Sequence, residues 1–100
     1  MVNAVIGTMS YIRIRWKHEF SGEPALLYSE LDENRWEIRK VEVFPDGHRG
    51  YASAAGSFGG TGLSVEPIPP LAEIAANPEF EPAEIGRQEF EHIWDNRQPT

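Results

Sequence analysis

Tyr11-Ile-Arg-Ile-Arg-Trp16, Ala25-Leu-Leu-Tyr-Ser-Glu-Leu31, Trp36-Glu-Ile-Arg-Lys-Val-Glu-Val-Phe44 and His48-Arg-Gly-Tyr-Ala-Ser-Ala54 are four strand-like runs in the first half of a 100-residue chain. Turn chemistry separates them: Gly22 and Pro24, then the tetrad Asp32-Glu-Asn-Arg35, then Pro45-Asp46-Gly47. Short connections make sequential strands neighbours, so the stretch reads as one antiparallel β-meander.

Period two assigns the faces. In the first run Ile12, Ile14, Trp16 and His18 alternate with Tyr11, Arg13, Arg15 and Lys17, which places the first set on the core and the second toward solvent. The third run breaks period, because Trp36, Ile38 and Phe44 share one parity while Val41 and Val43 take the other. Either a bulge near Arg39-Lys40 resets the register, which is the favoured reading, or both faces of the sheet are partly covered.

From Ala55 to Pro70 the composition shifts to Gly, Ser, Thr and Pro, with Thr61–Val65 as a short edge strand. Pro69-Pro70 launches a brief helix over Leu71–Ala76, which Asn77-Pro78 stops. A last helix opens at Pro82, with Glu81 and Glu84 at its positive end and Ala83, Gly86, Phe90, Ile93 and Trp94 along one stripe. The predicted fold is α+β: an antiparallel β-meander of four or five strands, covered on one face by the C-terminal helix. Residues 9–97 form one domain, and residues 1–8 read as an appended tail.

Composition narrows the function classes. No cysteine is present, which removes disulfides, thiolate metal sites and thiol nucleophiles. No run approaches the ~18 apolar residues of a spanning helix, and Met1–Thr8 lacks the flanks of a signal peptide, so a cytoplasmic protein is expected. Net charge is −7 and uneven: residues 1–54 hold seven Lys/Arg against eight acids, residues 55–100 only Arg87 and Arg97 against eight. Such an acidic half repels nucleic-acid backbones and steers basic proteins.

Candidate motifs fail on their chemistry. Glu89-Phe-Glu-His92 has Glu-x-x-His spacing, but a di-iron site needs two such motifs and two further glutamates. Gly56-Ser-Phe-Gly-Gly-Thr-Gly62 lacks the Lys-Ser/Thr continuation and following helix of a phosphate loop. His18, His48 and His92 show no ligand spacing, so neither a metal nor a cofactor is expected. Tyr11, Arg13, Arg15 and Lys17 look like an RNA-binding face, but the net charge favours an ordinary solvated surface, cross-paired with Glu30, Glu37 or Glu42. Trp16, Trp36 and Trp94 read as core.

At Trp16-Lys-His18, Leu27-Tyr-Ser-Glu-Leu-Asp32, Arg39-Lys-Val-Glu-Val-Phe44 with Asp46-Gly47, and Phe90-x-x-x-Trp94, the chain resembles a family of small, functionally uncharacterised bacterial proteins. The resemblance runs from Met9 to Trp94 and implies a complete single domain, without a ligand or an activity. In size, acidity and lack of chemistry the chain is also similar in type to immunity proteins of bacterial toxin systems.

The expectation is therefore a non-catalytic protein-binding module, an immunity protein or inhibitor that neutralises a basic toxin or host protein. Glu84, Glu91 and Asp95 would supply the contact from the last helix, extended by Glu66 and Glu79. The alternative is a small ligand-binding or adaptor domain with a shallow pocket of Trp16, His18, Tyr28, Glu30 and Arg39. A third reading is a small enzyme using His18 and Glu30 as acid and base.

Overall fold

Among the described residues alternating side chains build six strands, and every pairing between them is antiparallel. The computed structural model describes residues 8–98; the expected tail lies, but for Thr8, outside the described residues. Strands β1 (Ser10–Trp16), β2 (Leu26–Leu31), β3 (Glu37–Val43), β4 (Arg49–Ser53) and β5 (Gly56–Phe58) form a meander. Helix α1 (Leu71–Ala75), strand β6 (Phe80–Ile85) and helix α2 (Arg87–Asp95) follow. The sheet order is β5-β4-β3-β2-β1-β6, so the chain leaves one edge after β5 and re-enters at the other.

The expected turns close as their chemistry requires. Asp32 Oδ1 accepts the Asn34 and Trp36 amides at 2.8 and 2.9 Å. Arg35 takes a φ of 66° there, a left-handed conformation rare for a side-chain-bearing residue. Its guanidinium donates at 2.7 Å to the Ile68 and Pro69 carbonyls, which ties the turn to the long loop. Gly47, at φ 93°, completes the β3–β4 turn. The bulge also forms: Glu30 pairs with Arg39 and Leu31 with Glu37, leaving Ile38 as the extra residue, one position before the expected site.

Three expectations need correction. The sheet has six strands, not four or five, because Phe80–Ile85 is a strand along β1 and not the first turns of a helix. Pro82 opposes Ile14 on this edge strand, where its missing N–H leaves no ladder bond unmade. The edge of β1 recruits these residues against their helix-start signals. α2 begins only after Gly86. Second, Thr61–Val65 is not a strand; the edge strand is Gly56–Phe58, and Gly59 and Gly60 at positive φ turn the chain back beneath the sheet.

Third, the face of β1 expected toward solvent is covered at one end: Arg15 and Lys17 are exposed as expected, but Tyr11 is not. Tyr11 is 7% exposed, with its ring 5.4 Å from that of Phe90. α2 covers the face carrying Tyr11, Tyr28, Glu30, Arg39, Val41 and Tyr51. The loop from Gly59 to Pro70 crosses the opposite face, over Ser29, Glu37 and Glu42. Coverage of both faces explains why no single hydrophobic parity describes the strands. Phe90, Ile12, Leu31 and Val41 are the fully buried large side chains. Trp36, read as core, is 43% exposed at the edge of its turn.

Candidate functional site

Arg39 and Lys40 are consecutive on β3, so their side chains leave on opposite faces of the sheet. Each meets two glutamates. On the helix face Arg39 donates from Nε and Nη2 to Glu30 at 2.5 and 3.0 Å, and from Nη1 and Nη2 to Glu91 at 3.2 and 2.7 Å. Its guanidinium lies 5.0 Å from the Phe90 ring and 5.1 Å from the Trp94 ring. Tyr11 donates its hydroxyl to Glu30 at 3.1 Å. The bond to Glu30 raises the Arg39 pKa against the opposing pull of burial. Arg39 in turn holds Glu91 below the ordinary glutamate value, and burial pushes the Tyr11 hydroxyl up. This network docks α2, a helix of nine residues that would not persist alone.

On the loop face Lys40 Nζ lies 3.4 Å from Glu37 and 3.9 Å from Glu42. Glu37 also accepts from the Ser29 hydroxyl at 2.6 Å and the Ser64 amide at 2.7 Å. Glu42 accepts from the Thr61 hydroxyl at 2.7 Å. These bonds pin the glycine-rich loop to the sheet.

Docking α2 creates a cleft of about 790 Å³ between the β3–β4 turn, the end of β5 and the C-terminal end of the helix. His48, Arg49, Phe58, His92, Ile93 and Arg97 supply its side-chain chemistry, and among the described residues no acidic one lines it. The Arg97 guanidinium lies 4.0 Å from the Trp94 ring and 4.8 Å from the Tyr51 ring. Its Nη1 donates to the Trp94 carbonyl at 2.7 Å, and Arg49 Nη1 donates to the Asn96 carbonyl. Sequence reading misses this gathering. His48-Arg49 and His92-x-x-x-x-Arg97 lie far apart in the chain, and only the docking of α2 against β4 joins them.

A second charged region has the opposite sign. Glu73, Glu79, Glu81 and Glu84 are exposed on α1 and along β6, the outer strand of the sheet. Lys17, 3.8 Å from Glu81, makes the one ion pair recorded for them among the described residues. Of the acids expected to meet a partner, Glu66, Glu84 and Asp95 are exposed, but Glu84 sits on β6 and not on the helix. Glu79 is exposed and accepts from Trp16 Nε1 at 3.1 Å. Glu91 is no free surface acid: Arg39 engages both its oxygens.

The alternative pocket does not assemble. Glu30 and Arg39 meet on the helix face, and Tyr28 shares that face. Trp16 belongs to the other face, where its ring lies 4.5 Å from that of His18. His18 accepts the Phe20 amide at Nδ1 and donates from Nε2 to the Pro24 carbonyl, both within its own loop. It lies seven residues beyond Tyr11, the strand partner of Glu30, roughly 20 Å along an extended chain. The acid–base pair of His18 and Glu30 is therefore not brought together. Among the described residues no group of three His, Cys, Asp or Glu side chains is placed to hold a metal ion. No helix there is long and apolar enough to cross a membrane.

Residues 10–99 match the family described as Domain of unknown function (DUF6881). The chain belongs to that family. Its match covers the whole sheet and both helices, in keeping with the uncharacterised single-domain family that the sequence resembles. No curated protein and no solved structure matches the chain.

Proposed function

We propose that this DUF6881 domain is a non-catalytic cytoplasmic module that binds a basic protein, in the manner of an immunity protein or an inhibitor of a toxin or host factor. The observation that carries this reading is the acidic outer edge formed by β6 and α1. Glu73, Glu79, Glu81 and Glu84 are exposed there within twelve residues of sequence that contain no Lys or Arg. Pro82 interrupts the amides of this edge, which disfavours recognition by strand addition and leaves the side chains to be read. Clustered charge of one sign accelerates encounter with an oppositely charged partner.

The test uses Glu73→Lys combined with Glu84→Lys, since neither carboxylate makes a hydrogen bond or ion pair among the described residues. A partner captured with the tagged domain is purified, and its association rate is measured across ionic strength. The expected partner is basic, its association slows as salt rises, and the double reversal slows it by roughly tenfold or more at low salt. An acidic partner, or a rate indifferent to both salt and the reversal, overturns the reading.

A further inference from the structure

We propose that the cleft at the C-terminal end of α2 binds a small organic anion, one that joins a carboxylate or phosphate group to a flat apolar body. The proposal is independent of the acidic edge, which lies across the sheet from it. Its volume, about 790 Å³, falls within the range of small-molecule sites.

Charge distinguishes the cleft from the rest of the molecule. In a chain of net charge −7, two arginines and two histidines line it, without one acid among the described residues. Arg13 and Arg39 are matched by Glu89, and by Glu30 and Glu91. Arg49 and Arg97 have no carboxylate within 4.0 Å among the described residues. The competing account is that both arginines only satisfy carbonyls at the end of α2, as cations at helix C-termini commonly do. That role occupies Nη1 of each. It leaves Nη2 of both without a protein partner among the described residues, and neither charge is matched by a carboxylate there.

The donors are also held in place. Stacking on Trp94 and Tyr51 fixes the plane of the Arg97 guanidinium, so little side-chain entropy remains to be lost on binding. The His48 ring stacks on Phe44 at 4.3 Å, with Asp46 engaging Nδ1. Its Nε2 has no partner among the described residues. Phe58 and Ile93 add apolar contact for a flat body. The surrounding acidity disfavours a long polyanion such as nucleic acid but not a compact ligand of one or two charges.

Titration by NMR with phenyl phosphate, benzoate, inorganic phosphate and benzyl alcohol tests the proposal. The expected result is saturable shifts at His48, Arg49, Phe58, His92 and Arg97 with the two aromatic anions. Weaker shifts are expected with inorganic phosphate and none with the neutral benzyl alcohol. The tighter of the two aromatic anions identifies the head group. Arg49→Gln should weaken binding by roughly tenfold or more, the worth of one charge-assisted hydrogen bond. His92→Gln changes an exposed side chain without a hydrogen bond among the described residues, so its fold should persist; a severalfold loss is expected. The proposal is overturned if neither aromatic anion gives saturable shifts, if benzyl alcohol binds equally well, or if both variants retain full affinity. Shifts centred on Arg13, Arg15 and Lys17 would overturn it equally.

Discussion

Arg39 and Lys40 each sit between two glutamates, one on each face of the same strand, but the acids around them are satisfied differently. Arg39 is the hub of its face: four hydrogen bonds from one guanidinium reach Glu30 on the sheet and Glu91 on the helix. Without it, Glu30 keeps only the Tyr11 hydroxyl among the described residues. Lys40 is a counter-charge at longer range, while Ser29, Ser64 and Thr61 hold the glutamates by shorter neutral bonds. The helix is thus docked through one central residue, with the Arg13–Glu89 pair and the Arg49 bond to the Asn96 carbonyl toward its two ends, and the loop through several neutral donors.

Arg39→Ala should therefore break the helix face with the largest effect. It strands a carboxylate that is 9% exposed and removes the packing between Phe90 and Trp94. A buried pair broken on one side costs roughly 3–5 kcal/mol, a large share of the stability of a domain this size. Urea denaturation should show that loss, and amide exchange should accelerate first across residues 87–95. Arg39→Lys should recover less than half of it, because an ammonium cannot reproduce the two-sided fork. Full recovery by lysine would show that charge alone docks the helix.

Gly50→Ala probes the other face. A Cβ there would meet Thr61 Oγ1 at 2.1 Å and the Phe58 carbonyl at 3.1 Å. The loop must shift and its bond to Glu42 must break, at a cost of about 1–3 kcal/mol. Lys40→Met should cost less, about 1–2 kcal/mol, since the glutamates keep their hydroxyl and amide donors. A loss equal to that of Arg39→Ala would mean that both faces depend on a single cation.

The two faces were also unequally legible in the sequence. The meander, its turns and the bulge follow from local signals: Asp32 bonding its own backbone, Gly47 at the turn, and the parity break after Trp36. The placement of β6 does not. Pro82 and Glu84 carry helix-start chemistry, and only the unpaired edge of β1, remote in sequence, overrides it. The error propagates. Once Glu84 and Glu91 are put on one helix, both appear as surface acids, although one lies on an edge strand and the other is engaged by Arg39. Tyr11 alternates with core residues and so reads as solvent-facing, but α2, remote in sequence, covers its end of that face, while Arg13 stays partly exposed beside Glu89. The basic cleft had no local signal, since its four cationic or titratable residues meet only through tertiary packing.

The smallest effect expected concerns acid, and it isolates the helix face. The hydrogen bond from Arg39 lowers the Glu91 pKa, with burial partly opposing it. The folded value lies below the unfolded one, so in acid the unfolded chain binds the proton first. The stabilisation is then complete above the unfolded value and is lost as pH falls through the folded value. Unfolding midpoints measured from neutral pH down to roughly pH 3 should decline, and Glu91→Gln should make that decline shallower while lowering the neutral-pH midpoint. Asp46 is also held low, chiefly by the His48 amide, but at an exposed turn. Asp46→Asn is therefore the control, and its acid profile should stay closer to that of the parent. If Glu91→Gln leaves the slope unchanged, the Arg39–Glu91 arm contributes no charge-dependent stability, and the docking of α2 rests on the aromatic contacts, the Arg13–Glu89 pair and the Arg49 bond to the Asn96 carbonyl.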